Sequence, residues 1–229
     1  MSKPTLLTRH LGIQEYEATF KAMQAFTEQR DNDTISELWL VEHPPVFTQG
    51  LAGKAEHVLA AGDIPIVQTD RGGQVTYHGP GQLVAYLMIS LKEADVGIRQ
   101  LVTMMEESII ELLANRDIQG QARPDAPGVY VDNKKVASLG LKVRNRSGSY
   151  YTYHGLSLNV DMDLEPFQRI NPCGFAGLEV TQLKDLGLDC STNDAGISLI
   201  PKLCHKLGYQ CQAADSHDLP QYSHSDFTA

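Results

Sequence analysis

What this sequence has little of narrows its possibilities. Its 229 residues hold one tryptophan and four cysteines. None of these cysteines (Cys173, Cys190, Cys204, Cys211) has CxxC spacing, and all lie late in the chain. That argues against a disulfide framework or a zinc ribbon, so each is expected to be a free thiol. Long apolar runs are missing too. The uncharged stretch between Arg71 and Lys92 contains His78 and is interrupted by Gly72, Gly73, Gly79, Pro80 and Gly81, so it cannot span a bilayer. Basic residues are in short supply, 19 against 28 acids for a net charge of −9. No global field draws in nucleic acid or an anionic membrane, and neither is expected as a partner. Arg9 and His10 fall where a signal peptide places its apolar segment, so a cytoplasmic location is expected. Repeats and low-complexity linkers are absent as well. With 42% hydrophobic and 21% charged residues, the composition predicts one globular domain over 1–229, its polar tail frayed from about 212 to 229.

Periodicity supplies the elements. Ile13, Tyr16, Phe20, Met23 and Phe26 recur at helical spacing, and a strand is expected at about 35–42, stopped by Pro44 and Pro45. A short strand at 64–69 precedes a glycine-rich loop. Residues 83–91 are apolar on both parities, as in a central strand covered on both faces. Ile98, Leu101, Met105, Ile109 and Leu112 mark a second helix. Alternation then returns at 128–132, 135–143 and 150–160 as an antiparallel meander, and a last helix fits 197–207. The order predicts an α/β (α+β) fold with a mixed β-sheet flanked by helices.

Several segments carry candidate chemistry. The loop Arg71-Gly-Gly-Gln-Val-Thr-Tyr-His78-Gly-Pro-Gly-Gln82 lets backbone approach a ligand closely. It is neither a P-loop nor a dinucleotide fingerprint, because no Gly-Lys-Ser/Thr follows and a strand comes next. A tight connection with Arg71 and His78 in solvent is its plainer reading. On a regular strand, Lys135 shares a face with Ala137, Leu139, Leu141 and Val143. There it either snorkels from the strand end or is a desolvated amine of lowered pKa. His154 shares parity with Leu156, Leu158 and Val160 and should lean inward, a core histidine unless it has work to do. Cys173 stands between Pro172 and Gly174 with little bulk beside it, reachable or simply structural. Cys204-His205 lacks the further ligands a metal would need, so no metal site is expected.

Five segments taken in order, Glu42-His-Pro-Pro-Val-Phe-Thr-Gln-Gly50, Arg71 to Leu83, Lys135-Val-Ala-Ser-Leu-Gly-Leu141, His154-Gly-Leu-Ser-Leu-Asn-Val160 and Asn171-Pro-Cys-Gly174, resemble the lipoyl (octanoyl) transferase family over about residues 12–185. The resemblance implies the fold of the biotin and lipoate protein ligase catalytic domain. It also implies transfer of an octanoyl group from octanoyl-acyl carrier protein to a lysine of the lipoyl domains of 2-oxoacid dehydrogenases and of the glycine cleavage H protein. Carried over by motif, Cys173 is the acyl-thioester nucleophile and Lys135 its partner. The acyl chain lies against Arg71, Gly72, Gly73, Gln74, Val75, Thr76, Tyr77 and His78, against Ser138, Leu139 and Gly140, and against Gly155, Leu156 and Ser157. His154 or His78 is a further candidate for relaying protons.

The chemistry accounts for these residue types. Attack of a cysteine on a thioester gives another thioester at nearly equal free energy, so no nucleotide and no other cofactor is expected. An ordinary thiol of pKa ~8.5 is only ~3% thiolate at pH 7, and a neighbouring ammonium that lowers the pKa by one to two units raises this to roughly 25–75%. Backbone N–H groups around Gly140, Cys173 and Gly174 are candidate oxyanion donors. Residues 134–146 carry Lys134, Lys135, Lys142, Arg144 and Arg146 and no acid; with Lys135 set aside for the site, Lys142, Arg144 and Arg146 share one parity and form either a candidate edge for an acidic carrier or an ordinary solvated hairpin. Rival readings are an ATP-dependent lipoate or biotin ligase, with Lys135 on an acyl-adenylate, and a non-catalytic acyl-binding module.

Overall fold

The structure, a computed structural model, describes residues 3–146, 148–174, 177–216 and 218–220, leaving out the Cys173 side chain. The chain runs β1 (Thr5–Ile13), α1 (Tyr16–Gln29), β2 (Ser36–Glu42), β3 (Val46–Gln49), β4 (Ile66–Gln68), β5 (Val75–His78), β6 (Gln82–Met88), α2 (Ile98–Ala114), β7 (Gln121–Ala122), β8 (Gly128–Val131), β9 (Lys134–Arg146), β10 (Ser149–Asn159), α3 (Thr192–Leu207) and β11 (Gln210–Ala213). Eight strands form a mixed sheet in the order β11-β1-β2-β6-β10-β9-β8-β7, and β4-β3-β5 form a small second sheet.

The central strand is where periodicity puts it. All seven residues of β6 are buried, with β2 and β10 antiparallel on either side. One face of the main sheet packs on α2 and α3 through Leu38, Leu40, Leu83, Ala85, Leu87, Leu156 and Leu158. The other packs on α1 through Trp39, Val41, Val84, Tyr86 and Met88 against Met23 and Phe26. Gly196 lets α3 lie close to the sheet, since a Cβ there would stand 2.8 Å from Leu40 Cδ1. The meander of β8, β9 and β10 matches the expectation, with His154 opposite Leu141 and Gly155 opposite Gly140.

Four expectations need correction. Ile13 does not seed the first helix; it ends β1, 63% exposed, and the helix starts at Tyr16. The last helix begins at Thr192, where Ser191 and Asp194 form a capping box, five residues before the apolar spacing becomes readable. The fold also continues past 212. Gln212 and Ala213 belong to β11, which pairs parallel with β1, and Leu219 packs on the α1 face, whereas His217 and residues 221–229 lie outside the described set.

The fourth correction concerns the cysteines. Cys204 and Cys211 are joined in a disulfide. Gly208, left-handed at φ 74°, ends α3 and turns the chain back into β11, bringing the two Cα atoms to 6.2 Å. The spacing of seven residues has no motif signature; only the reversal of direction makes the pair. With Cys204 in a disulfide, Cys204-His205 is no metal site. Among the described residues, no cluster of three or more His, Cys, Asp or Glu side chains is placed to hold a metal.

The bond closes a short loop, and loop-closure entropy alone gives roughly 2.5 kcal/mol of stability. Reduction, or Cys211→Ser, should therefore lower the unfolding free energy by about 2 kcal/mol in urea titrations. Under denaturing, non-reducing conditions the protein should take up two fewer alkyl groups than after reduction; full alkylation without reductant would show that the bond does not form.

Candidate active site

The cleft is built where backbones approach one another. Ser138 pairs with Ser157, Leu139 with Leu156 and Gly140 with Gly155, three successive cross-strand pairs of β9 and β10. All six residues line a single cleft with Arg71, Gly73, Gln74, Val75, Thr76 and His78, and with Tyr16, Val84, Tyr86 and His154. The loop before β5 docks on β9 because the Gly72 N–H donates to Leu141 O at 2.9 Å. A Cβ on Gly140 would stand 3.1 Å from Gly72 O and 3.3 Å from Arg71 Cδ, so a bare backbone keeps the loop down. Arg71 Nη2 donates to Thr48 O at 2.6 Å and to Thr48 Oγ1 at 2.9 Å. It therefore staples the loop to β3 as well as lining the cleft.

Burial sets the protonation state of the rings here, and hydrogen bonds fix their tautomers. His78 donates from Nδ1 to Gln82 Oε1 at 2.7 Å, and Nε2 accepts from Thr48 Oγ1 at 3.3 Å. Burial, then His43 nearby, lower its pKa to about 3 against the support of Gln82. His43 donates from Nδ1 to Gln14 O at 2.7 Å, and Nε2 accepts the Tyr86 hydroxyl at 2.7 Å; burial lowers its pKa to about 4. Tyr16 stacks on His78 at 5.7 Å and meets His43 edge-on at 5.0 Å, while burial raises its own pKa to about 12. At neutral pH these four rings are uncharged, and those of Tyr16, His78 and Tyr86, with His43 packed against them, give the cleft a wall suited to an alkyl chain.

His154 is buried as expected, but on the other face. Its left-handed backbone (φ 61°) takes its side chain out of the row of Leu156, Leu158 and Val160 and sets it among Phe20, Tyr86 and Tyr153. There Nε2 donates to Asp70 Oδ1 at 3.1 Å, and the other carboxylate oxygen of Asp70 accepts the Tyr153 hydroxyl. That fixes Nδ1 as the acceptor nitrogen, and among the described residues it has no hydrogen-bond partner. Burial lowers the His154 pKa against the support of Asp70. Burial raises the Asp70 pKa, but the hydrogen bonds from His154 and Tyr153 and the charge of Lys142 outweigh it, leaving the carboxyl below its usual range.

Lys135 is 2% exposed but not on the apolar row. The register slips between Val129 and Tyr130, so Val129 faces Ala137 while Tyr130 faces Lys135. Val136 and Ala137 both enter the core, and Lys135 Nζ lies 5.3 Å from the centre of the Tyr130 ring. Gly128 makes room for it, since a Cβ there would meet Lys135 Cε at 2.5 Å. Beside it, the Glu106 carboxylate accepts the Gly128 N–H at 2.9 Å; burial raises the Glu106 pKa, opposed by that N–H and by the Lys135 charge.

Cys173 lies in the 3₁₀ turn Pro172–Gly174, with its side chain outside the described residues. The turn sits against the cleft, because a Cβ on Gly174 would be 3.3 Å from Gln74 Nε2. Of the site residues expected from sequence, Gly72, Tyr77 and Lys135 are not among the described residues lining the cleft. Tyr77 packs between Phe47 and Phe167 with ring centres 5.5 Å from each. Gly174 is also no spare oxyanion donor, since its N–H donates to Asn171 O at 2.9 Å. The basic edge is partly neutralised by α1: Glu28 lies 3.0 Å from Arg146 and 3.8 Å from Arg144. Tyr16, His43, Asp70, Tyr86 and Glu106 were given no role from sequence: Tyr16 and Glu106 stand away from the motifs and Tyr86 follows one as an ordinary strand residue, whereas His43, inside Glu42-His-Pro-Pro, and Asp70, next to Arg71, carried a positional signal.

A family profile described as the lipoyl protein ligase A/B catalytic domain matches residues 15–201. The chain belongs to that family. An octanoyltransferase of Shewanella woodyi is 57% identical over 210 residues, covering 92% of this chain and 94% of the relative. One of Shewanella oneidensis is 58% identical over 210 residues, covering 92% and 95%. Among solved structures, a lipoate-protein ligase A bound with ATP superposes with a TM-score of 0.74 at 16% identity, over 95% of this chain and 91% of that one. The putative lipoate protein ligase Ta0514 of T. acidophilum gives 0.73 at 17%, over 93% and 88%. These two likenesses show the lipoyl protein ligase A/B fold, the mixed sheet flanked by helices.

The neutral histidines leave a signature in stability. An unfolded histidine takes up its proton near pH 6.5, whereas native His43 does so only near 4 and native His78 near 3. Below 6.5 the unfolded state thus binds more protons, and each histidine removes stability as pH falls, about 1.4 kcal/mol per pH unit. His43→Gln should make the fall of unfolding free energy between pH 6.5 and 4.5 shallower by about that amount in urea titrations. An unchanged slope would mean that His43 is not held neutral.

Proposed function

We propose that this protein is an octanoyltransferase that carries the acyl group as a thioester on Cys173. Octanoyl-acyl carrier protein is the donor, and lipoyl domains of 2-oxoacid dehydrogenases and the glycine cleavage H protein are the acceptors. The observation that carries the reading is that the Arg71 loop, Ser138–Gly140 and Gly155–Ser157 line one cleft while the Cys173 turn rests on its Gln74. Close octanoyltransferase relatives at 57–58% identity support the same conclusion. The cytoplasm, where these partners are made, is the proposed location; among the described residues no helix is long and apolar enough to cross a membrane.

The reaction balances without nucleotide. The Cys173 thiolate attacks the donor carbonyl, the carbon–sulfur bond to the carrier breaks, and the carrier thiol leaves with a proton. The acceptor lysine then attacks as a free amine, an amide forms, and the Cys173 thiol is restored. The neutral ring wall holds the alkyl chain. Lys135, its Nζ over the Tyr130 ring and its charge felt by Glu106, supplies the positive charge that favours the thiolate. His154, its free Nδ1 lone pair set by Asp70, takes the proton lost by the incoming amine.

Intact mass after mixing with octanoyl-acyl carrier protein and no ATP should show one octanoyl adduct, lost in Cys173→Ala with the fold unchanged. An adduct that requires ATP would instead indicate ligase chemistry. His154→Gln should leave adduct formation within about threefold of wild type and slow transfer to a lipoyl domain by 10²-fold or more, the range of a lost general base. Equal slowing of both steps would remove that role.

A further inference from the structure

Both halves of the proposed reaction pass through a tetrahedral intermediate whose oxygen gains negative charge, and that oxygen needs donors already in place. Among the described residues, several backbone groups around Cys173 are unable to serve. Pro172 has no N–H, Gly174 N–H donates to Asn171 O at 2.9 Å, and Asn171 N–H donates to His57 O at 2.8 Å. Across the cleft, Gly72 N–H is held by Leu141 O. Among the described residues, the side chain set against this turn is uncommitted. Gln74 lines the cleft, its Nε2 and Cδ each 3.3 Å from a Cβ built on Gly174, and its carboxamide makes no hydrogen bond among the described residues. Its Oε1 is buried without a partner. An alkyl chain can satisfy neither end of an amide, and a buried polar group without a partner is destabilising unless a ligand completes it.

We propose that the Gln74 carboxamide donates to the carbonyl oxygen of the acyl group on Cys173 and stabilises the oxyanion in both acylation and transfer. The inference rests on the Cys173 reading and adds a catalytic residue to it. No bond to Gln74 forms or breaks; its N–H shortens its contact as the oxygen becomes anionic and relaxes when the carbonyl is restored. The other use of a free amide, accepting from the attacking lysine amine through Oε1, would act in the second half-reaction alone.

The test uses the full-length protein, with Gln74→Met to keep the shape without a donor and Gln74→Glu to keep the acceptor without the N–H. Single-turnover mass spectrometry measures acylation of Cys173 by a small octanoyl thioester and then release to a primary amine. Loss of one oxyanion donor should slow both steps by about 10²–10³-fold in both variants. Alkylation of Cys173 by iodoacetamide, which passes through no oxyanion, should stay within twofold of wild type in Gln74→Met, the variant that adds no charge beside the thiol. Wild-type rates in Gln74→Met, a loss confined to the amine step, or a parallel loss of alkylation would each overturn the proposal. If wild-type protein forms no adduct at all, the Cys173 reading fails and this inference fails with it.

Discussion

Close backbone approach between β6, β10, β9 and the Arg71 loop is the constraint on which the site depends. Gly155 has no room for a side chain, since a Cβ there would lie 2.0 Å from Ala85 O. Opposite it, Gly140 is bare under Gly72 O and Arg71 Cδ. These two glycines keep the floor of the cleft low while Arg71, tied to Thr48, holds the loop above it. Any side chain at either place would lift a strand or the loop, and the cleft would close or open at the cost of the ladder hydrogen bonds that define it.

Apart from the Arg71 guanidinium, which is tied to Thr48, charge is kept out of the cleft and concentrated around it. His43 and His78 are held neutral by burial, against the pull of their Gln14 and Gln82 acceptors, so the rings of Tyr16, Tyr86 and His78, with His43 against them, present no charge to an alkyl chain. The ionised groups stand just behind. Asp70, with Arg144 at 3.7 Å, orients His154 from one side. Lys135 with Glu106 lies beside Gly128, which pairs with Ser138 of the floor. An apolar slot with charges one layer behind it suits an acyl group whose only polar atom is the reacting carbonyl.

The elements were largely legible because their periodicities are long and clean. β6 is apolar on both parities and central, α2 carries its apolar spacing through Leu101, Met105, Ile109 and Leu112, and the β8–β9–β10 meander falls between readable turns. The errors came where one residue departs from regular geometry. A bulge takes Lys135 off the row that alternation assigns it, and a single left-handed residue moves His154 to the opposite face. Alternation assumes a regular strand, so it puts both on an apolar row, leaves Lys135 between snorkelling and burial, and gives neither its right neighbours.

The sequence by itself determined the mixed sheet with its helices, the family, and the residue types at the loop, the strands and the Asn171–Gly174 turn, because these are properties of local spacing and of motif order. Only tertiary structure decided that Asp70 would set the tautomer of His154, that Glu106 would stand beside Lys135, that Gln74 would reach the Cys173 turn and that Cys204 would bond to Cys211. Each of these partnerships is a contact a few ångströms long between groups brought together by a crossover, a bulge or a reversal of the chain. No periodicity encodes such distances, and the packing of the sheet against its helices creates them.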